Sequence, residues 1–202
     1  MASAIEIANR GMTKLGAARI SSFDDNNTEA RAVKSLYDIA RRTLLRRALW
    51  NFAKRRTTLA AVAIPAGSED WDFAYQYNLP NDFIRLIQVN DYSEPVGFNP
   101  GRLRDDSPYQ IEGNRILTNY PAPLKIRYIA DVTDPTKYDS IFVEAFASQI
   151  AFECCETVTE SNTKKAALAQ ETKMWIIEAM KVNQVESPPD SLHDGSWLTS
   201  LY

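Results

Sequence analysis

The chain has 202 residues, of which 45% are hydrophobic and 24% charged, which suits a globular fold and excludes disorder throughout. A net charge of −3 weighs against sequence-independent DNA binding, whose affinity comes from neutralising phosphates. The only cysteines, Cys154 and Cys155, are adjacent, so an oxidised disulfide scaffold is not expected. The opening residues lack the basic start and long apolar core of a signal peptide, and no run of about 18 apolar residues offers a membrane span. These features predict a soluble protein made in a reducing cytoplasm.

In chain order, residues 2–15 carry Ile5, Ala8, Met12 and Leu15 at helical spacing, with Gly16 placed to end the helix. Asn27 or Thr28 is placed to cap a second helix over residues 29–49. There Val33, Leu36, Tyr37, Ala40 and Leu44 form an apolar stripe, and Arg31, Lys34, Asp38, Arg41, Arg42 and Arg46 lie opposite. Leu45 and Leu49 fall on the basic face and Arg47 on the apolar side, an arrangement a free-standing amphipathic helix would not select.

After Lys54 the pattern turns to strands. "TTLAAVAI" reads as a strand, and "WDFAYQYNL" alternates with period two. "FIRLIQV" and "LKIRYIADV" are further strands, and "YQIEGNRILTN" is a hairpin whose Gly113-Asn114 turn supplies positive φ. Pro135 and Asp139 announce a helix over residues 140–158 that is apolar on most sides and so buried by several neighbours. A last helix over 163–185 has apolar residues on two sides. Pro188 and Pro189 stop it, and the chain continues to Trp197, Leu198, Leu201 and Tyr202. The predicted class is α+β: a mainly helical bundle from residues 1–56 and 136–185, a β-rich module over 57–135 inserted between them, and an extended docking tail over 186–202.

No catalytic or metal-binding pattern emerges, so an enzyme and a cofactor are not expected. His193 is the single histidine, which removes most triads and all multi-histidine metal sites. Cys154 and Cys155 lie in the buried-helix pattern and read as core residues. Asp24-Asp25 and Asp105-Asp106 read as solvated loop charge, and no glycine-rich phosphate loop is present.

The basic stretch over residues 41–56, "RRTLLRRALWNFAKRR", has three readings: a solvated helix face, a nucleic-acid contact and a protein interface. Arginine prevails over lysine in it, and its planar fork suits bidentate pairing with carboxylates. Arginine and tryptophan are also enriched at interface hot spots. This favours a protein interface through Arg41, Arg42, Arg46, Arg47 and Trp50. The aromatic tail fits either docking on a partner or packing back on its own domain.

Several segments, in order, resemble the head-to-tail adaptors of tailed bacteriophages, in particular the tail tubular protein A type of short-tailed phages. They are "LGAARISSFDD", "RRTLLRRALWNFAKRRTTLA", "WDFAYQYNLPNDFIRLIQV", "YQIEGNRILTN", "LKIRYIADVTDPTKYDSIFVEAFASQIAFE" and "VNQVESPPDS". The resemblance implies a virion structural role: a ring, usually of twelve subunits, beneath the portal protein, extending the DNA channel and offering a platform to the tail nozzle. It implies portal docking through helical and C-terminal segments, here with Pro188, Pro189, Trp197, Leu198, Leu201 and Tyr202. It also implies a β face turned to the tail or to neighbouring subunits, here with Tyr75, Tyr77, Phe83 and Arg85. Genomic DNA would pass through without specific binding, and no membrane is involved.

Overall fold

The computed structural model describes residues 2–64, 73–90, 92–93 and 108–186. Among these residues the fold is α+β, with four α-helices and two antiparallel sheets.

Helix α1 spans Ala4–Leu15. Ser3 and Glu6 form a capping box, and Gly16 at φ +67° closes the helix by returning its N–H to Thr13. The Asn9 amide then fixes the following loop, giving its N–H to Ile20 O at 2.8 Å and accepting from Ile20 N at 2.7 Å. Helix α2 spans Thr28–Arg47, with Asn27 as the N-cap. It stops because Ala48 turns to extended backbone (φ −139°, ψ 168°), and the Trp50 indole donates to the released Leu44 carbonyl at 2.9 Å.

Strands β1 (Lys54–Leu59) and β2 (Ala61–Val62) follow with only Ala60 between them, and they belong to different sheets. The others are β3 (Tyr75–Asn78), β4 (Phe83–Val89), β5 (Tyr92–Ser93), β6 (Tyr109–Glu112), β7 (Arg115–Thr118) and β8 (Leu124–Ala130). One sheet has the order β1-β8-β4-β5 and the other β2-β3-β7-β6. The β6–β7 hairpin pairs Glu112 with Arg115. Of its two turn residues only Gly113 takes positive φ (+57°), which corrects the expectation for Asn114. Helices α3 (Ser140–Thr159) and α4 (Asn162–Val185) complete the fold.

Period-two alternation along β8, and two register irregularities on β4 between Phe83 and Arg85 and between Leu86 and Gln88, make the first sheet the middle of three layers. From it, Ile84 and Ile129 join the helical core with Leu44, Phe142, Phe146 and Ile150. Its other face sends Leu86, Val89, Ile126 and Tyr128 to meet Tyr77, Tyr109 and Ile116 of the second sheet. In the helical layer α1, α2 and α4 all pack on α3. Gly11 allows the close approach of α1, since a Cβ there would lie 2.9 Å from Ala147 O. Cys154 and Cys155 are fully buried in the helical core, and burial pushes the Cys154 thiol up to about 12.

Burial likewise raises four tyrosine hydroxyls: Tyr37 and Tyr128 to about 12, Tyr138 further, and Tyr77 as well. For Tyr128 the hydrogen bond to Asp82 adds to the effect. In the unfolded chain each titrates near 10. The folded state therefore holds more protons above that pH, so these groups' contribution is intact below about pH 10 and is lost as pH rises towards 12. Thermal unfolding midpoints should accordingly hold to about pH 9.5 and then drop steeply. Tyr37→Phe should flatten part of that drop, and a pH series of calorimetric scans on both chains checks it.

Candidate protein-binding surface

The stretch over residues 41–56 is not one helical face. Residues 41–47 close α2, Asn51–Ala53 form a 3-10 turn, and Lys54–Arg56 begin β1. Its arginines therefore divide into four environments.

Arg41 points inward and is 6% exposed. Its Nε donates to Asp131 Oδ1 at 3.0 Å, its Nη2 to Oδ2 at 3.3 Å, and its Nη1 to Asp38. Burial alone would lower its pKa, but the two carboxylates outweigh that and hold the guanidinium above its ordinary value. Arg46 is exposed, yet its Nη1 donates to the Ile84 carbonyl at 2.6 Å, clamping α2 to β4. Arg42 and Arg47 face outward; Arg42 Nε stands 3.4 Å from Asp131 Oδ2. On β1, Arg55 pairs with Asp82, while Arg56 lines a separate hollow of about 300 Å³ with Lys125 and Arg127.

Two expectations need correction here. Arg41 and Trp50 are interior residues and do not present an outer surface. Trp50 is 1% exposed and packs edge-on to Phe142 with ring centres 4.9 Å apart. The unusual pattern of α2 also has an internal cause. Leu45 is fully buried and Leu49 is half-buried in the helical core, because β4 and β8 cover a second side of α2, while Arg47 is exposed. No neighbouring subunit is required to explain that pattern.

Arg42 and Arg46 meet Arg85 of β4 across an open cleft of about 890 Å³. Its other walls are Phe83, the Leu79–Pro80–Asn81 turn and the tip of the β6–β7 hairpin with Ile111. The tip is held there by Leu79 N donating to Asn114 O at 3.0 Å. Arg85 is exposed, and Phe83 is half-buried, stacked on Tyr128 at 5.9 Å. The cleft thus offers three guanidinium groups beside apolar walls, a chemistry suited to a segment carrying both carboxylates and apolar side chains. Of the other expected β-face residues, Tyr75 is 37% exposed. Tyr77 is buried between the sheets with its hydroxyl donating to Tyr120 O at 2.9 Å, so its place on an outer face is also corrected. Pro188, Pro189, Trp197, Leu198, Leu201 and Tyr202, with His193 and Asp105-Asp106, lie outside the described residues.

The sequence reading passed over one feature and gave no role to the apolar sides it noted on the last helix. Asp131, which orders Arg41 and Arg42, follows a strand with no polar pattern around it; only its place at a strand end could have marked it. Helix α4 bears an uncovered apolar stripe of Met174 (70% exposed), Ile177 and Val185. Their 3- and 8-residue spacing signals one helical face. Ile39 is a further exposed apolar residue, on α2.

Among the described residues no group of three His, Cys, Asp or Glu could hold a metal ion, and no helix is long and apolar enough to cross a membrane. The chain matches no protein-family model and no curated protein sequence.

Proposed function

We propose that this chain is a virion structural protein: a head-to-tail adaptor whose copies form a ring, in the twelve-subunit form the resemblance implies, beneath a portal protein. In this reading the ring extends the DNA channel and gives the tail nozzle its platform. The chain is made in the host cytoplasm and ends in the neck of the particle. Residues 57–135 act as a module inserted between two helical halves, and residues 186–202 reach the portal during assembly.

The observation that carries the proposal is a pair of chemically different uncovered faces. One is the guanidinium face of α2 and β4, and the other is the apolar stripe of α4. Helix α2 meets α3 at Phe146, through Tyr37, and α4 meets it at Ser148, through Thr172. Two residues apart on α3 is roughly 200° of rotation, so α2 and α4 approach α3 from different sides. Two unlike faces are what a heterologous contact needs in order to close a ring.

A second reading is nucleic-acid binding through residues 41–56. The division of that stretch between a buried ion pair, a cleft and a strand edge weighs against it, since tracking a duplex needs cations in a continuous row.

Electron microscopy of the chain mixed with its cognate portal protein tests the proposal directly. A ring of this chain on the portal is the expected result, and a chain that stays single and unattached would overturn it. Arg42→Glu with Arg47→Glu, chosen because neither residue clamps the sheet as Arg46 does, should weaken assembly or portal binding by at least about tenfold. The thermal midpoint should move by no more than about 2 °C. In a duplex-DNA titration, six phosphate contacts would give log K a slope of about −5 against log salt, which would favour the second reading.

A further inference from the structure

We propose that the arginine cleft between α2 and the β6–β7 hairpin is the seat of this chain's own segment after α4, residues 187–202, in the free protein. The inference concerns the unassembled chain and stands whether or not a ring forms.

Three observations converge on that occupant. The first is charge. The segment beyond Glu186, the C-cap of α4, carries Asp190 and Asp194 and has no lysine or arginine, whereas the cleft presents Arg42, Arg46 and Arg85. The second is the mixture of chemistry. The segment also carries Leu192, Trp197, Leu198, Leu201 and Tyr202, and the guanidinium groups of the cleft stand beside Phe83, Leu79 and Ile111. Duplex phosphates would satisfy the arginines but leave those walls uncovered, so a peptide fits the site better than DNA.

The third is the point of departure. Asn183, in the last turn of α4, binds the chain just past α2 through three hydrogen bonds. Asn51 N donates to its Oδ1 at 2.7 Å, Asn51 Nδ2 to its carbonyl at 2.8 Å, and its own Nδ2 donates to Leu49 O at 3.0 Å. Asn51 is five residues beyond Arg46, at most about 18 Å of extended chain. Residues 187–202 could span up to about 58 Å when extended, so the cleft is well within reach. A tether of this length supplies an effective concentration on the order of millimolar, which makes a modest contact sufficient.

A seated segment would cover Arg42 and Arg85 until a partner displaced it, exposing the basic face and freeing the segment in one event. The apolar stripe of α4 is the rival seat, but of the charges beside it Lys181 is paired with Glu178, leaving Lys173 against the three guanidinium groups of the cleft.

The test is hydrogen–deuterium exchange of the full chain, read on the amides of residues 187–202 against a free synthetic peptide of the same sequence. In the wild type these amides should exchange at least about tenfold more slowly than in the peptide, equivalent to about 1.4 kcal/mol of docking. Arg42→Glu with Arg85→Glu should return them to the peptide rate. Asp190→Lys with Asp194→Lys, which cannot disturb the described core, should do the same. Combining the two pairs should restore slow exchange, while Met174→Ser with Ile177→Ser should leave it unchanged. The proposal is overturned if the wild-type segment exchanges like the peptide, or if slow exchange survives the arginine reversal. It is equally overturned if only the α4 variant abolishes slow exchange. Protection that appears only as concentration rises from about 1 to about 100 μM would assign the cleft to a second copy's segment and also refute it.

Discussion

Trp50→Ala is expected to destabilise the folded chain by about 3–5 kcal/mol, lowering the thermal midpoint by roughly 6–20 °C. The indole is fully enclosed, set edge-on to Phe142 and against Phe52, and it carries the hydrogen bond that closes the C-terminus of α2 on Leu44 O. Alanine removes the packing and leaves both a cavity and an unmet carbonyl. Trp50→Phe should retain most of the aromatic contact and lose about 1–2 kcal/mol, chiefly the indole hydrogen bond. Urea unfolding of the two variants checks the order. An alanine variant as stable as the wild type that had lost only its ability to assemble would return Trp50 to the role of an interface anchor.

Asp131→Ala should cost about 3 kcal/mol, because it strands Arg41 in the interior without its main counter-charge. Asp131 receives Arg41 through two nitrogens at 3.0 and 3.3 Å, and its own backbone N–H reaches Asp82 O at 2.7 Å at the junction of β8 and β4. The figure is at the low end for a broken buried pair because Asp38 remains to hold Arg41 Nη1. Asp38 is itself largely exposed, so Asp38→Ala should leave stability almost unchanged. Removing both partners, as in Arg41→Met with Asp131→Ala, should recover much of the loss, since no uncompensated charge is then buried. A double-mutant cycle in urea measures this; equal losses at Asp38 and Asp131 would show that the pair does not hold the helices to the sheet.

Most elements were legible because they announce themselves locally, although "TTLAAVAI", read as one strand, is divided between β1 and β2 of different sheets, and β5 was not foreseen. Gly16 and Asn27 stand where α1 ends and α2 begins, and the strand "FIRLIQV" coincides with Phe83–Val89. The apolar sides of α3 also marked it in advance as packed by several neighbours, whereas α4 buries one face against α3 and leaves Met174, Ile177 and Val185 exposed, against the expectation of partners on two sides. The candidate site was only partly legible. Arg42, Arg46, Phe83 and Arg85 were singled out separately, yet nothing in the order of residues says that the 42–46 turn of α2 lies across one cleft from β4. Arg41 and Trp50 were taken for surface residues because an arginine-rich stretch reads as outward when only one side of its helix is imagined covered.

Periodicity and capping chemistry operate within a few residues, so the sequence alone determined which segments are helix or strand and which side of each avoids water. Only tertiary structure decided how many sides were covered. The sheet over α2 buried Leu45 and turned Arg41 into half of an internal ion pair, and it left Arg42 and Arg46 facing Arg85. Those outcomes depend on contacts between residues about 40 and 90 positions apart, set by how the layers stack, and a local pattern carries no record of them.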